Sequence, residues 1–349
     1  MNIMRILAIE TSCDETGIAI IESSGGLRNP KFKIIQGLIS SQIKIHRPFG
    51  GVVPNLAKRE HLKNLPILFK KLGSSARILN SIDLIAVTVG PGLEPALWTG
   101  INFAQEITKK DKKRLIGVNH MEGHLYSFLL PKKKTNISKS QNIEISKYSF
   151  PAIALIVSGG HTILLKMDSL IKWKRIGETR DDAAGEAFDK VARILDLPYP
   201  GGPEIEKLAR VGNPSAVTFP RPMIHDKNYD FSFSGLKTAV LYYMRDHKDA
   251  NKADLAASFQ QAAVDVLVAK TIRAAREYNA QSIFISGGVA SNKFLRKTLK
   301  KETQKIGCTF FAPDFKYNQD NAAMIAAAGY MTHLRKKKYP LRANGGLEI

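Results

Sequence analysis

The sequence predicts an α/β protein whose helices pack on sheets in two lobes. Three observations carry that expectation. Strand-like and helix-like runs alternate along the whole chain, the order expected when helices cover sheets. Its 349 residues exceed what one hydrophobic core usually supports. A hairpin pattern also recurs in the two halves, as IETSCDETGIAII (Ile9–Ile21) and LIVSGGHTILL (Leu155–Leu165).

Strand patterns fall at Ile6–Thr11, Gly17–Ile21, Leu84–Val89, Arg114–Val118, Ala152–Val157, Thr162–Lys166, Ser282–Ile285 and Thr309–Phe311, where aliphatic and β-branched residues cluster between turn signals. Helical periodicity covers Glu94–Thr108, His120–Leu130, Asp182–Leu195, Ala253–Asn279, Asn292–Lys305 and Asn321–Leu334. The segment Lys132–Lys147, rich in Lys, Ser and Asn, is expected to be a surface loop near a lobe boundary.

A composition of 44% hydrophobic and 24% charged residues is that of an ordinary globular protein. No apolar run approaches the roughly 20 residues that span a bilayer. The strand pattern starts almost at once, at Arg5, so no signal or transit peptide is expected. The two cysteines, Cys13 and Cys308, make no disulfide framework, which fits a reducing, cytoplasmic setting. Lys and Arg number 52 against 31 Asp and Glu, a net charge of +21. Such a surface attracts polyanions by releasing their counterions, although a general lysine bias produces the same total. Basic runs lie at Lys109–Arg114, Lys132–Lys134, Arg296–Lys305 and Arg335–Lys338. None is interleaved with aromatics as in a single-strand binder.

The recurring hairpins turn through Ser, Thr, Gly and Asp or His, and a third turn, ISGGVASN (Ile285–Asn292), follows a strand and opens a helix. Tight glycine turns expose backbone N–H groups, and a helix N-terminus adds positive dipole, so such turns suit a phosphate. One Gly-Gly pair also simply turns a chain; three in separate strand contexts favour a nucleotide cleft. His120 and His124 in HMEGH share one face of a helix, a spacing that supplies two metal ligands. Asp320, just before a small-residue helix, is the best third ligand, or else a helix cap. HMEGH also invites a metalloprotease reading. In H-E-x-x-H the base directly follows the first histidine, whereas Glu122 is displaced by one residue, about 100° around a helix. Asp14 and Glu15 in the first turn would hold a cation, orient a reacting group, or stay solvated. In DDAAGEAFDKVARIL (Asp181–Leu195), Asp189 could reach a hydroxyl-bearing ligand, while FPRP (Phe219–Pro222) and FSFSGLKT (Phe231–Thr238) look like substrate-facing loops or turns.

Taken in order, ETSCDETG, HMEGH, SGGHT, DDAAGEAFDKVA, YPGGP, FPRP, DFSFSGLKT, SGGVASN and DNAAMIA resemble the TsaD family, the tRNA N6-adenosine threonylcarbamoyltransferases once described as O-sialoglycoprotein endopeptidases. The likeness runs from about residue 5 to 330; 28–32 and 132–147 follow no recognised pattern. It implies the two-lobed actin-like ATPase (ASKHA) fold shared by actin, heat-shock ATPases and sugar kinases, with duplicated βββαβα-type domains. The lobes would span 1–130 and 151–320, joined by the loop 131–150, with 321–349 packing back on the first. It further implies His120, His124 and Asp320 as ligands of one divalent metal, Fe2+ before Zn2+. Ile156, Val157, Ser158, Gly159 and Gly160, with Asp189, Gly202 and Asn292, would hold the adenylate substrate or an ATP/ADP-type nucleotide, and Asp14 and Glu15 would be catalytic. The implied reaction moves threonylcarbamoyl from threonylcarbamoyl-AMP to the exocyclic amine of the adenosine beside the anticodon, in tRNAs reading codons that begin with adenine. Implied partners are tRNA, a paralogous subunit (TsaB) and a small ATPase (TsaE), with no membrane. A metallopeptidase and a sugar kinase or nucleotide-binding protein of the same superfold are the readings from other classes.

Overall fold

The computed structural model describes residues 3–73, 80–111, 113–131 and 148–349. The loop expected at 132–147 and the basic run at Lys132–Lys134 therefore lie outside the described residues, as does part of the run at 109–114. The chain forms two compact units. Among the described residues the first comprises 3–46, 52–131 and 313–349, and the second 47–51 and 148–312. The chain returns to the first unit at Pro313, ahead of the expected boundary at 320, so Asp320 is a first-unit residue.

The first unit is built on a five-stranded sheet of order β3-β2-β1-β4-β5. Its strands are β1 (Met4–Glu10), β2 (Glu15–Ser24), β3 (Lys31–Ser41), β4 (Leu84–Gly90) and β5 (Arg114–Asn119). β1 pairs antiparallel with β2 and parallel with β4. It is therefore central, and LAIE at its end is buried on both faces. β3 is an edge strand with alternating exposure. Leu7, Ile9, Ile85 and Val87 meet Leu65 and Leu68 of helix Pro54–Lys71, and Leu97 and Ile101 of helix Glu94–Asp111. The opposite face takes helix Ala322–Leu334, whose residues Ala322 to Thr332 are all buried. A helix apolar all round must be covered on every side. The sheet covers one side: a Cβ on Gly329 would stand 2.8 Å from Ala86 Cβ. Helix His120–Tyr126 covers another, since a Cβ on Gly123 would stand 2.9 Å from Ile325 Cδ1.

The second unit repeats the plan. β6 (Ala152–Val157), β7 (Thr162–Ser169), β8 (Lys172–Glu178), β9 (Ser282–Ser286) and β10 (Thr309–Phe311) form a sheet of order β10-β9-β6-β7-β8. Two antiparallel pairs are again followed by parallel crossovers, which require a connecting helix. Four helices, Ala184–Ile194, Gly201–Ala209, Ser234–Asp246 and Lys252–Glu277, lie between β8 and β9. Their core includes Phe188 edge-on to Phe259, with ring centroids 5.0 Å apart.

Where a loop or turn was expected, FSFSGLKT is irregular only in its first half and helical from Ser234 on. Phe231 and Phe233 are wholly buried with stacked rings, and Ser234 begins a helix. Asp181 accepts the backbone N–H groups of Phe233 and Ser234 at 2.8 and 3.2 Å. In FPRP, Arg221 pairs with Asp265 at 2.9 Å.

Candidate metal centre and glycine turns

Asn119 ends β5, and its side chain accepts the N–H groups of Met121 and Glu122 at 2.8 and 3.2 Å. That cap starts helix His120–Tyr126 on the spot, and the four-residue spacing puts His120 and His124 on one face, ring centroids 4.7 Å apart. Asp320 arrives from the far end of the chain. Its Oδ1 lies 3.1 Å from His124 Nε2 and 3.4 Å from His120 Nε2. The alternative role of helix cap falls to Asn321, which accepts the N–H of Met324 at 3.0 Å. The carboxylate of Asp320 is thereby left to face the two imidazoles.

His120, His124 and Asp320 can each offer one atom within 4.8 Å of the others. His124 Nδ1 is buried and lacks a hydrogen-bond partner, and its Nε2 faces only the Asp320 carboxylate, an expensive state unless another group completes the site. Two imidazoles and one carboxylate suit non-haem iron or zinc with positions left open. The residues present therefore fit a divalent metal.

Glu10, which sequence reasoning missed, completes the inner layer. Fully buried at the end of β1, it places Oε2 3.0 Å from His120 Nδ1 and 2.7 Å from the Thr88 hydroxyl, and accepts the Ser12 N–H. An imidazole donating Nδ1–H to a carboxylate turns a basic Nε2 toward the ligand position. Its signal was a glutamate inside an apolar strand. Burial alone would lower the His120 pKa, but Asp320 and Glu10 raise it to about 10. Burial pushes His124 down. Asp320 is held well below the usual carboxylate range, because His120 and His124 outweigh its burial.

The turn between β1 and β2 carries Asp14 and Glu15, both largely buried. Burial, then the charges of Asp14 and Asp320, push Glu15 well above an ordinary glutamic acid. His61, also unnoticed in the sequence, braces this turn from helix Pro54–Lys71. Its Nε2 reaches the Cys13 carbonyl at 2.9 Å, and its Nδ1 stands 2.8 Å from the Thr16 hydroxyl. That pairing calls for Nε2–H as donor and Nδ1 as acceptor.

Glu122 faces elsewhere. Its buried carboxylate takes Arg335, Lys337 Nζ at 3.0 Å and the Tyr339 hydroxyl at 2.7 Å. It is a clamp on the following segment, not a base beside the histidines, which removes the physical ground for the protease reading.

In the second unit Ile156 to Gly160 and Asn292 gather around the ends of β6 and β9. Ile156 and Val157 close β6, and Ser158 to Gly160 turn toward β7, with the Ser158 N–H donating to the His161 carbonyl at 2.8 Å. A Cβ on Gly159 or Gly160 would meet nothing within 4 Å. Gly185, at the start of helix Ala184–Ile194, abuts this turn so closely that a Cβ would stand 2.6 Å from the Ser158 carbonyl oxygen. Gly287, at φ 92°, lies against Val157, so the third turn joins the second. Asp189 accepts the Gly201 N–H at 2.7 Å, beside Gly202. Asn292 donates to Gln260 at 2.7 Å and caps helix Lys293–Lys305 through the Leu295 N–H at 2.8 Å. Asn292 thus shapes the turn it follows, while Asp189 holds the start of helix Gly201–Ala209.

A family model described as TsaD, tRNA N6-adenosine threonylcarbamoyltransferase, matches residues 33–327. The chain belongs to that family. The TsaD relatives include a tRNA N6-adenosine threonylcarbamoyltransferase of Thermosipho melanesiensis, 49% identical over 94% of each chain. Another, from Moorella thermoacetica, is 45% identical over 97% of this chain and 95% of its own. Among solved structures, full-length HypF in a phosphate- and nucleotide-bound form matches with a TM-score of 0.57 at 13% identity, covering 97% of this chain and 47% of HypF. The ADPNP-bound activator of 2-hydroxyisocaproyl-CoA dehydratase from Clostridium difficile gives 0.51 at 13% identity, over 97% and 100% of the two chains. These distant likenesses establish the actin-like ATPase (ASKHA) fold for this TsaD member. No helix among the described residues is long and apolar enough to cross a membrane.

Proposed function

We propose that this protein transfers the threonylcarbamoyl group from threonylcarbamoyl-AMP to the exocyclic amine of the adenosine beside the anticodon, in tRNAs whose codons begin with adenine. The observation that carries the reading is the His120–His124–Asp320 group, with both histidines buried, in a chain of this family. A new bond forms between the amine nitrogen and the carbamoyl carbon. The bond from that carbon to the phosphate oxygen breaks, AMP leaves with the electron pair, and the amine gives up a proton. His120, His124 and Asp320 hold Fe2+ or Zn2+, which supplies Lewis-acid polarisation of the carbamoyl oxygen when bound.

Glu15 accepts the amine proton. Its raised pKa makes it a better acceptor than an ordinary carboxylate, and Ser41 Oγ, donating to Glu15 Oε1 at 3.3 Å, steadies it. Asp14 shares the turn that His61 braces and keeps Glu15 in place. Amides of the turn from Ile156 to Gly160, with Gly202, Asp189 and Asn292, take the nucleotide part of the donor. A TsaB-type paralogous subunit and a TsaE-type ATPase are its partners, and the cytoplasm is its compartment.

The test is transfer of labelled threonine to tRNA, with the donor adenylate supplied directly to metal-loaded protein and its partners. Label should enter tRNA, and His124→Ala should cut the rate more than about 100-fold, beyond the effect usual for outer partners of metal ligands. Glu15→Gln should lower kcat by roughly 100-fold or more with KM for tRNA unchanged. Absence of label with the wild-type protein would overturn the reading.

A further inference from the structure

The basic runs of the sequence differ in what they do. Arg335 and Lys337 are consumed by buried Glu122. The run at 296–305 is different: it lies on helix Lys293–Lys305, where Lys293, Lys297, Lys301 and Lys305 recur at four-residue intervals. That interval makes one stripe along the helix, roughly 6 Å between successive side chains. Leu295, Leu299 and Thr303 face the core instead. Lys305 pairs with Glu302 at 2.7 Å. Lys293, Lys297, Lys300 and Lys301 are exposed and make no ion pair among the described residues. Like charges four apart weaken a helix, so the sequence keeps this stripe against its local cost. Asn292 caps the helix directly after the Gly287–Gly288 turn, so the stripe starts at the glycine turns assigned to the donor's phosphate.

We propose that this stripe receives the sugar-phosphate backbone of a helical stem of the tRNA substrate; the inference rests on the tRNA reading above. Lysines are flexible point charges that neutralise phosphates without reading bases. The helix's aromatic residue, Phe294, packs against the core, so no stacking platform for unpaired bases accompanies the charges. Protein interfaces are depleted in lysine, which argues against a protein occupant.

The test uses the full-length protein with Lys293→Gln, Lys297→Gln and Lys301→Gln combined, and follows tRNA affinity against salt concentration. Affinity should fall roughly tenfold at moderate salt, and the slope of log K against log salt should flatten by about 3. At saturating tRNA, kcat and the KM for the adenylate should match the wild type. The corresponding triple Lys→Arg variant should restore affinity and slope, which a folding defect in the Gln variant would not allow. A wild-type enzyme that works while the Gln variant keeps its affinity and slope would overturn the stripe alone. A wild-type protein that neither binds nor modifies tRNA would overturn it together with the function above.

Discussion

The turn after β1 and the turn after β6 occupy the same place in two sheets of the same strand order, yet one is packed and the other open. Around the first, a Cβ on Gly92 would stand 2.6 Å from the Ser12 carbonyl and one on Gly17 would stand 3.0 Å from the Ala322 nitrogen, while His61 braces Cys13. Around the second, Gly159 and Gly160 have empty space beside them. The packed turn keeps Asp14 and Glu15 dry, and burial pushes Glu15 up. The open one offers amides and a hydroxyl. A duplicated scaffold therefore supplies position only, and what packs beneath each turn decides its chemistry.

The contrast extends to buried cations, where it predicts opposite responses to pH. In the metal-free protein His120 is raised to about 10 by its carboxylates. The stability held in that proton is whole below pH ~6.5 and is lost as pH rises toward ~10, by up to about 1.4 kcal/mol per unit. In the second unit, burial and then Arg273 lower Lys270 to about 8, and its Nζ donates to the Asn228 carbonyl at 3.1 Å. The unfolded chain binds that proton more tightly, so Lys270 costs stability below pH ~8 and the cost is relieved between ~8 and ~10.5. Denaturation midpoints of metal-free protein should therefore fall from pH ~6.5 to ~8 and level off above it, where the two terms oppose, but go on falling above pH ~8 in Lys270→Met. An unchanged slope in that variant would refute the opposition.

A smaller effect separates the metal group from its neighbour in sequence. Glu122→Gln should destabilise by about 3 kcal/mol, since it strips buried charge from Arg335 and partly exposed Lys337. Metal stoichiometry should not change. Loss of catalysis at unaltered stability would instead make Glu122 a base.

The smallest difference lies in the turns themselves. Gly185→Ala should cost about 1–3 kcal/mol by overpacking. Gly159→Ala should stay within about 0.5 kcal/mol, while raising KM for the adenylate if the amides there hold the phosphate. Equal melting shifts for the pair would show that the open turn is not open in solution.

Most strands and the long helices were legible in sequence because periodicity and turn residues agreed. β3 was not, since FKIIQGLI breaks a two-residue alternation. Helix Pro54–Lys71 was not, because Pro66 inside it looks like a breaker, although Ala57, His61, Leu65 and Leu68 face the core at helical spacing. The histidine pair was legible because four residues make one helical turn. Asp320 was visible as a carboxylate before a helix, but only the fold shows that Asn321 takes the cap. Glu10 and His61 act through contacts with residues far away in the chain, which local pattern does not carry.

The first unit draws its strands from the beginning of the chain and one of its covering helices from the end. During synthesis His120 and His124 leave the ribosome about 200 residues before Asp320, and the whole second sheet is made in that interval. A nascent chain stopped between His124 and Pro313 holds both imidazoles but neither the carboxylate nor helix Ala322–Leu334. Completion of the metal group is thus also a report that translation has passed the whole second unit.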